Sequence, residues 1–171
     1  MLYVGIDNGV SGHIVVLDES RNAIASIPAQ TVVVEGVTRS WRKLCPYLTT
    51  SVLSPFASQG ACFIIEKAAP VSGSMRGSIA TFMAGYSDAM YVSILAALGV
   101  PDKRVVSVPA RLWQKTLLGA THGDSKNLSI SFALSEVPAI SLMRTARSRK
   151  HDSNIADATC LAMYGVLHVQ C

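Results

Sequence analysis

A chain of 171 residues is enough for one domain with a full core and too few for two large ones. Half the residues are apolar and mean hydropathy is +0.36, yet no apolar run approaches the ~20 residues that span a bilayer. The excess therefore reads as a well-buried sheet plus an oligomer interface, not membrane attachment.

Residues 2–7 read as a buried strand, followed by the turn Asn8-Gly9-Val10-Ser11-Gly12. A second strand covers 13–17, and 23–27 with 31–34 continue an antiparallel meander. Thr38 to about Leu53 is expected to be helical, with Pro46 interrupting its middle. Ala61–Glu66 is the next strand. Ser78–Leu98 is the longest helix, on the three- and four-residue recurrence of Phe82, Met83, Tyr86, Met90, Ile94 and Leu98. Arg104–Val108 is a short strand, and the helix after Pro109 has Trp113, Leu117 and Leu118 on its apolar side. Asp124 or Ser125 caps a further helix to about Glu136. Residues 137–150 are basic and irregular, and Asp152–His168 is the last helix.

Hairpin-linked strands followed by βαβ units give an α/β fold: a mixed five-stranded sheet, three antiparallel strands then parallel ones, flanked by helices. The expected arrangement is that of ribonuclease H, over a single domain of residues 1–171. On that topology the ends of the first and fourth strands lie side by side, and Asp7 and Glu66 become neighbours.

The net charge of +4 is unevenly spread. Between Lys103 and Lys150 there are nine basic residues, against only Asp124 and Glu136. Such a stretch suits a polyphosphate partner, nucleic acid being the commonest, while an ordinary solvated surface is the plain alternative. Cys45, Cys62, Cys160 and Cys171 form no C-x-x-C pair and read as free thiols of a reducing compartment. The chain opens almost directly on a strand, so the expected location is a cytoplasm, or an organelle matrix as a mature form, without secretion.

The chemistry is carried by acids. Asp7 and Glu66 each end an apolar strand, and Asp152 and Asp157 open the last helix. Burying a carboxylate without a cation or donor is costly, so several converging acids point to a divalent metal site. Oxygen ligands without thiols or paired imidazoles favour Mg²⁺ or Mn²⁺. Two such ions ~3.5–4 Å apart would activate water and stabilise the leaving oxygen of a phosphoryl displacement. Within one helix, Asp152 and Asp157 would stand about 140° apart around the axis. Asp152 must therefore lie at or before the helix start, where N-capping competes with metal ligation.

Three stretches resemble RuvC-like Holliday junction resolvases of the ribonuclease H-like superfamily. Gly5-Ile6-Asp7-Asn8-Gly9-Val10-Ser11-Gly12 is similar to their opening strand-turn, with Asn8 where proline is usual. Phe63-Ile64-Ile65-Glu66-Lys67 resembles the second catalytic strand, and Lys150-His151-Asp152-Ser153-Asn154-Ile155-Ala156-Asp157-Ala158 the closing motif. Val108–Lys115 and Asp124-Ser125-Lys126 are similar to segments of the phage and chloroplast branches. The spacing of Asp152 and Asp157 looks like the chloroplast branch; the shorter bacterial spacing would put Asn154 in the ligand position instead.

The resemblance implies a homodimeric endonuclease with Asp7, Glu66, Asp152 and Asp157 as metal ligands and catalytic residues, and two Mg²⁺ per site, replaceable by Mn²⁺. Each subunit would nick one of two opposing strands of a four-way junction, leaving 5′-phosphate and 3′-hydroxyl ends. Helix 78–98 is the dimer candidate, with Gly85 and Ala89 permitting close approach. Met75, Arg76, Lys115, Lys126, Arg147, Arg149, Lys150 and His151 are the candidate DNA contacts. Trp41 and Trp113 read as core or interface anchors. Two rival readings are a catalytically silent branched-DNA-binding protein and, since G-I-D-x-G also opens actin-like ATPases, a nucleotide-binding protein.

Overall fold

The computed structural model describes residues 1–36, 40–67, 77–119 and 124–171, with the side chains of helix 77–97 described from residue 81. The strands are β1 (Leu2–Ile6), β2 (His13–Asp18), β3 (Ala23–Pro28), β4 (Thr31–Val34), β5 (Trp41–Leu44), β6 (Cys62–Lys67) and β7 (Val105–Pro109). The helices are α1 (Pro46–Ser58), α2 (Gly77–Ala97), α3 (Ala110–Leu118), α4 (Ser125–Glu136) and α5 (Ser153–His168), with a 3₁₀ turn at Asp102–Arg104.

Five strands form one mixed sheet in the order β3-β2-β1-β6-β7. The β3-β2-β1 portion is antiparallel, whereas β6 runs parallel to both β1 and β7. The strand sequences explain this arrangement. Central β1 and β6 are nearly continuous apolar runs buried on both faces, as parallel strands covered by helices require. Edge strand β3 instead alternates half-buried and exposed residues.

Alternate side chains of the sheet serve two cores. Val4, Ile6, Phe63 and Ile65 pack with Leu53 of α1 and Tyr91, Ile94 and Leu95 of α2. On the other face Tyr3, Ile64, Val15 and Leu17 meet α3, α4 and α5. The result is a helix–sheet–helix sandwich with its most apolar strands at the centre.

Two glycines set how closely α5 approaches. A Cβ on Gly5 would collide with the Ala158 carbonyl and the Ala162 backbone, and one on Gly165 with Ile64 and Tyr3. Only a bare backbone at position 5 lets α5 lie against β1. That close approach carries the first turn of α5 toward the end of β1.

Three expectations are corrected. Of the segment expected to be helical from Thr38 to Leu53, Thr38 and Arg39 lie outside the described residues and the rest holds strand β5 followed by α1. Pro46 stands at the first helical turn, where its missing N–H is no loss. Residues 31–34 do not continue the meander; β4 pairs with β5 as a separate antiparallel ribbon, Thr31 opposite Leu44 and Val34 opposite Trp41. The four-thiol reading also fails, because Cys62 of β6 and Cys171 are paired as a disulfide while Cys45 and Cys160 are free.

Candidate active site at the ends of β1 and β6

The site begins with a strand register. In the parallel β1–β6 pair, Gly5 is opposite Ile64 and Ile6 opposite Ile65, so the next residues come abreast, Asp7 just past the end of β1 and Glu66 still within β6. Asp7 is pinned from both sides of its turn. Its N–H donates to the His13 carbonyl (3.0 Å), and its Oδ1 accepts from the Gly9 N–H (3.4 Å). Gly12 closes the turn by donating to the Gly9 carbonyl (2.9 Å), and a Cβ there would strike the Asp7 carbonyl. Asn8 ties the two strand ends together, its Nδ2 donating to the Glu66 carbonyl at 2.8 Å.

The carboxylates sit in an environment that penalises charge. Burial, with repulsion from Asp157 and Asp152, pushes Asp7 up to about 6 despite the Gly9 N–H and Arg144 acting the other way. Burial and the neighbouring Asp7 push Glu66 up to about 7, opposed by a hydrogen bond from Trp113. Asp157 is raised by burial, with Ser129 and Lys126 of α4 opposing. Asp7, Glu66 and Asp157 are therefore electrostatically coupled members of one cluster, although they come from three distant parts of the chain.

Asp152 is different. It is the N-cap of α5, accepting from the Asn154 N–H at 2.9 Å, and it forms an ion pair with Arg144. Burial would raise its carboxyl, but the Arg144 hydrogen bond and the cap hold it below the ordinary value. Arg144 also donates to the Ser11 carbonyl at 2.6 Å, and Asn154 Nδ2 to the same carbonyl at 2.9 Å. The nearer-spaced Asn154 thus has its amide committed to the β1–β2 turn.

Among the described residues, no group of three or more His, Cys, Asp or Glu side chains stands as a ready metal-binding cluster. The donor chemistry nonetheless fits a hard cation: three oxygen-only acids, largely desolvated, of which Asp7 and Glu66 are displaced far toward the protonated form.

The other predicted contacts are placed as follows. Lys115, Lys126, Arg147, Arg149, Lys150 and His151 are exposed, and Lys126 lies near enough to Asp157 to act on it electrostatically. Met75 and Arg76 lie outside the described residues. Gly85 and Ala89 are exposed on α2 beside Phe82 (71% exposed) and Tyr86, and an apolar groove lined by Pro46, Thr50, Tyr86 and Ala97 runs between α1 and α2.

Sequence reasoning missed the polar roles of Arg144, Trp113 and Asn8. Asn8 alone left a signal, as an amide in a motif where proline is usual.

No family model matches the sequence, and no curated protein sequence does. The fold does have solved counterparts. The chain is similar to the structure of Thermus thermophilus RuvC in complex with Holliday junction substrate, at TM-score 0.55 and 15% identity, covering 95% of this chain and 91% of that one. A second Thermus thermophilus RuvC structure matches at TM-score 0.52 and 16% identity, over 95% and 92% of the two chains. The chain has the RuvC-like, ribonuclease H-like fold.

Proposed function

We propose that this chain is a single-domain, metal-dependent endonuclease that resolves four-way DNA junctions. The observation that carries the reading is the β1–β6 register, which brings Asp7 beside Glu66 with Asp157 coupled to both. Three acids without a cation are an expense to the fold, and a divalent ion is what makes such a cluster favourable. The likeness to a RuvC structure holding a Holliday junction supports branched DNA as the substrate class.

In this reading Asp7, Glu66, Asp152 and Asp157 would hold Mg²⁺ or Mn²⁺, two ions per site. The ions supply water activation and stabilisation of the leaving oxygen. The protein holds the carboxylates in a rigid, poorly hydrated frame, so that charge placed there acts more strongly than it would in water. Lys126 of α4 acts electrostatically on Asp157, Lys150 and His151 directly precede Asp152, and Arg147, Arg149 and Lys115 of α3 are exposed. These exposed cations would hold the phosphate backbone in a salt-dependent way. Pairing through the Phe82–Gly85–Tyr86–Ala89 face of α2 would set two sites against opposing strands, giving paired nicks with 5′-phosphate and 3′-hydroxyl ends. The closing-acid spacing and the segments around Val108–Lys115 favour the phage and chloroplast branches.

One observation favours the silent, junction-binding alternative: Arg144 already compensates Asp152. Incubation of labelled four-way junctions with the protein in Mg²⁺ or Mn²⁺ separates the two. The nuclease gives symmetric nicks, and the silent protein gives a retarded complex with uncut strands.

A further inference from the structure

Glu66 is held at two points, and only one of them is backbone. Asn8 fixes its carbonyl, while the indole Nε1 of Trp113 donates to its carboxylate Oε2 at 3.1 Å. Trp113 is fully buried, among Tyr3, Cys62, Ile64, Val108, Cys160 and Leu161. An indole N–H is a donor only, so once buried it needs an acceptor, and here the acceptor is the site acid.

The chain path explains the contact. Strand β7 runs beside β6 with Val108 opposite Glu66 and Pro109 opposite Lys67, and α3 begins directly at Ala110. Trp113 therefore comes one turn beyond the strand end and folds back over the end of β6. The same ring packs against α5, the helix that carries Asp157. Filling space does not by itself require an N–H directed at one carboxylate oxygen, and that is the additional feature.

We propose that Trp113 is a positioning residue. Its N–H holds one carboxylate oxygen of Glu66 and so restricts the side-chain rotamer, and the other oxygen would be available to a cation. This rests on the metal-dependent reading of the site given above. A glutamate carboxylate otherwise turns about three side-chain bonds, and partners in contact with a ligand group tune metal affinity through that freedom.

Two variants test this. Trp113→Phe removes the donor and some volume. Benzothienylalanine placed at 113 by stop-codon suppression replaces N–H by sulfur and keeps the ring size. Mn²⁺ affinity is read by the loss of the free-ion EPR signal, junction affinity by gel retardation in EDTA, and cleavage under single turnover. The expected result is Mn²⁺ binding weakened about 10- to 100-fold in both variants, with junction affinity within about twofold of wild type. If Trp113→Phe fails to fold, the sulfur isostere decides. Wild-type Mn²⁺ affinity and cleavage in the folded isostere overturn the positioning role while leaving the nuclease standing. A wild-type protein that neither binds Mn²⁺ nor cuts overturns the nuclease reading, and this inference with it.

Discussion

The ends of β1 and β6 and the start of α5 both present acids to the same corner of the sheet, and they treat them oppositely. Asp7 and Glu66 are desolvated by burial and repelled by neighbouring acids, so their charge is unfavourable. Asp152 is already satisfied by Arg144 and by its capping hydrogen bond. Residue type alone makes these acids equivalent; the surroundings divide them into a cluster whose charge is destabilised by burial and mutual repulsion and one acid already paired with a cation. Asp157 falls on the destabilised side although it shares a helix with Asp152.

The sharpest way to break that comparison is to neutralise one acid from each region. Asp157→Asn should cut single-turnover junction cleavage by on the order of 10³-fold, the scale at which loss of one charge-stabilising group shows. Asp152→Asn should cost about tenfold, since asparagine caps a helix as well as aspartate does. Equal losses in the two variants would erase the distinction.

Next in size is the packing that brings the regions together. Gly5→Ala forces a methyl into the backbone of α5 and should lower stability by about 3 kcal/mol or prevent folding. Denaturant titration measures it, and an unchanged midpoint would mean that α5 does not lie against β1 as described.

The pH dependence follows with its sign. Unfolded, Asp7 and Glu66 lose protons near pH 4; folded, they keep them to about 6 and about 7. Between those values the folded state binds more protons, so stability falls as pH rises from about 4 to about 7, and the penalty is complete above that. Each displacement corresponds to on the order of 3 kcal/mol. The metal-free protein should therefore melt about 8–16 °C lower at pH 8 than at pH 5. Mg²⁺ should recover much of the loss at pH 8, and Glu66→Gln should shrink the difference. The depressed Asp152 acts with the opposite sign and below this window. A melting temperature that rises between pH 5 and pH 8 without metal would contradict the account.

The smallest effect expected is Asn154→Ala, which removes one amide contact to the Ser11 carbonyl and should lower stability by about 1 kcal/mol.

Much of this was legible in the sequence, for physical reasons. Leu2–Ile6 and Cys62–Lys67 are dense β-branched and apolar runs, which buried parallel strands demand, and topology then made Asp7 and Glu66 neighbours. The helix 78–98 was legible from its period and its Gly-Val-Pro stop. The β4–β5 ribbon was not, because Trp41–Leu44 is mostly exposed and carries little alternation. There Pro46 looks like an interruption, whereas it marks a helix start. The unseen part of the site consists of contacts across long separations. Trp113 to Glu66 spans 47 positions and Arg144 to Ser11 spans 133. A tryptophan buried for packing and one buried to hold a carboxylate look alike in a sequence, as do a surface arginine and one paired with an acid.

The proposed cutting of branched DNA by the paired strand-end acids with a divalent ion is tested most directly by incubating wild type and Glu66→Gln with an end-labelled four-way junction in Mg²⁺ and mapping the products on a denaturing gel. The account predicts symmetric nicks from wild type, and from Glu66→Gln a bound but uncut junction. Equal cutting by both proteins, or none by wild type in Mg²⁺ or Mn²⁺, would contradict it.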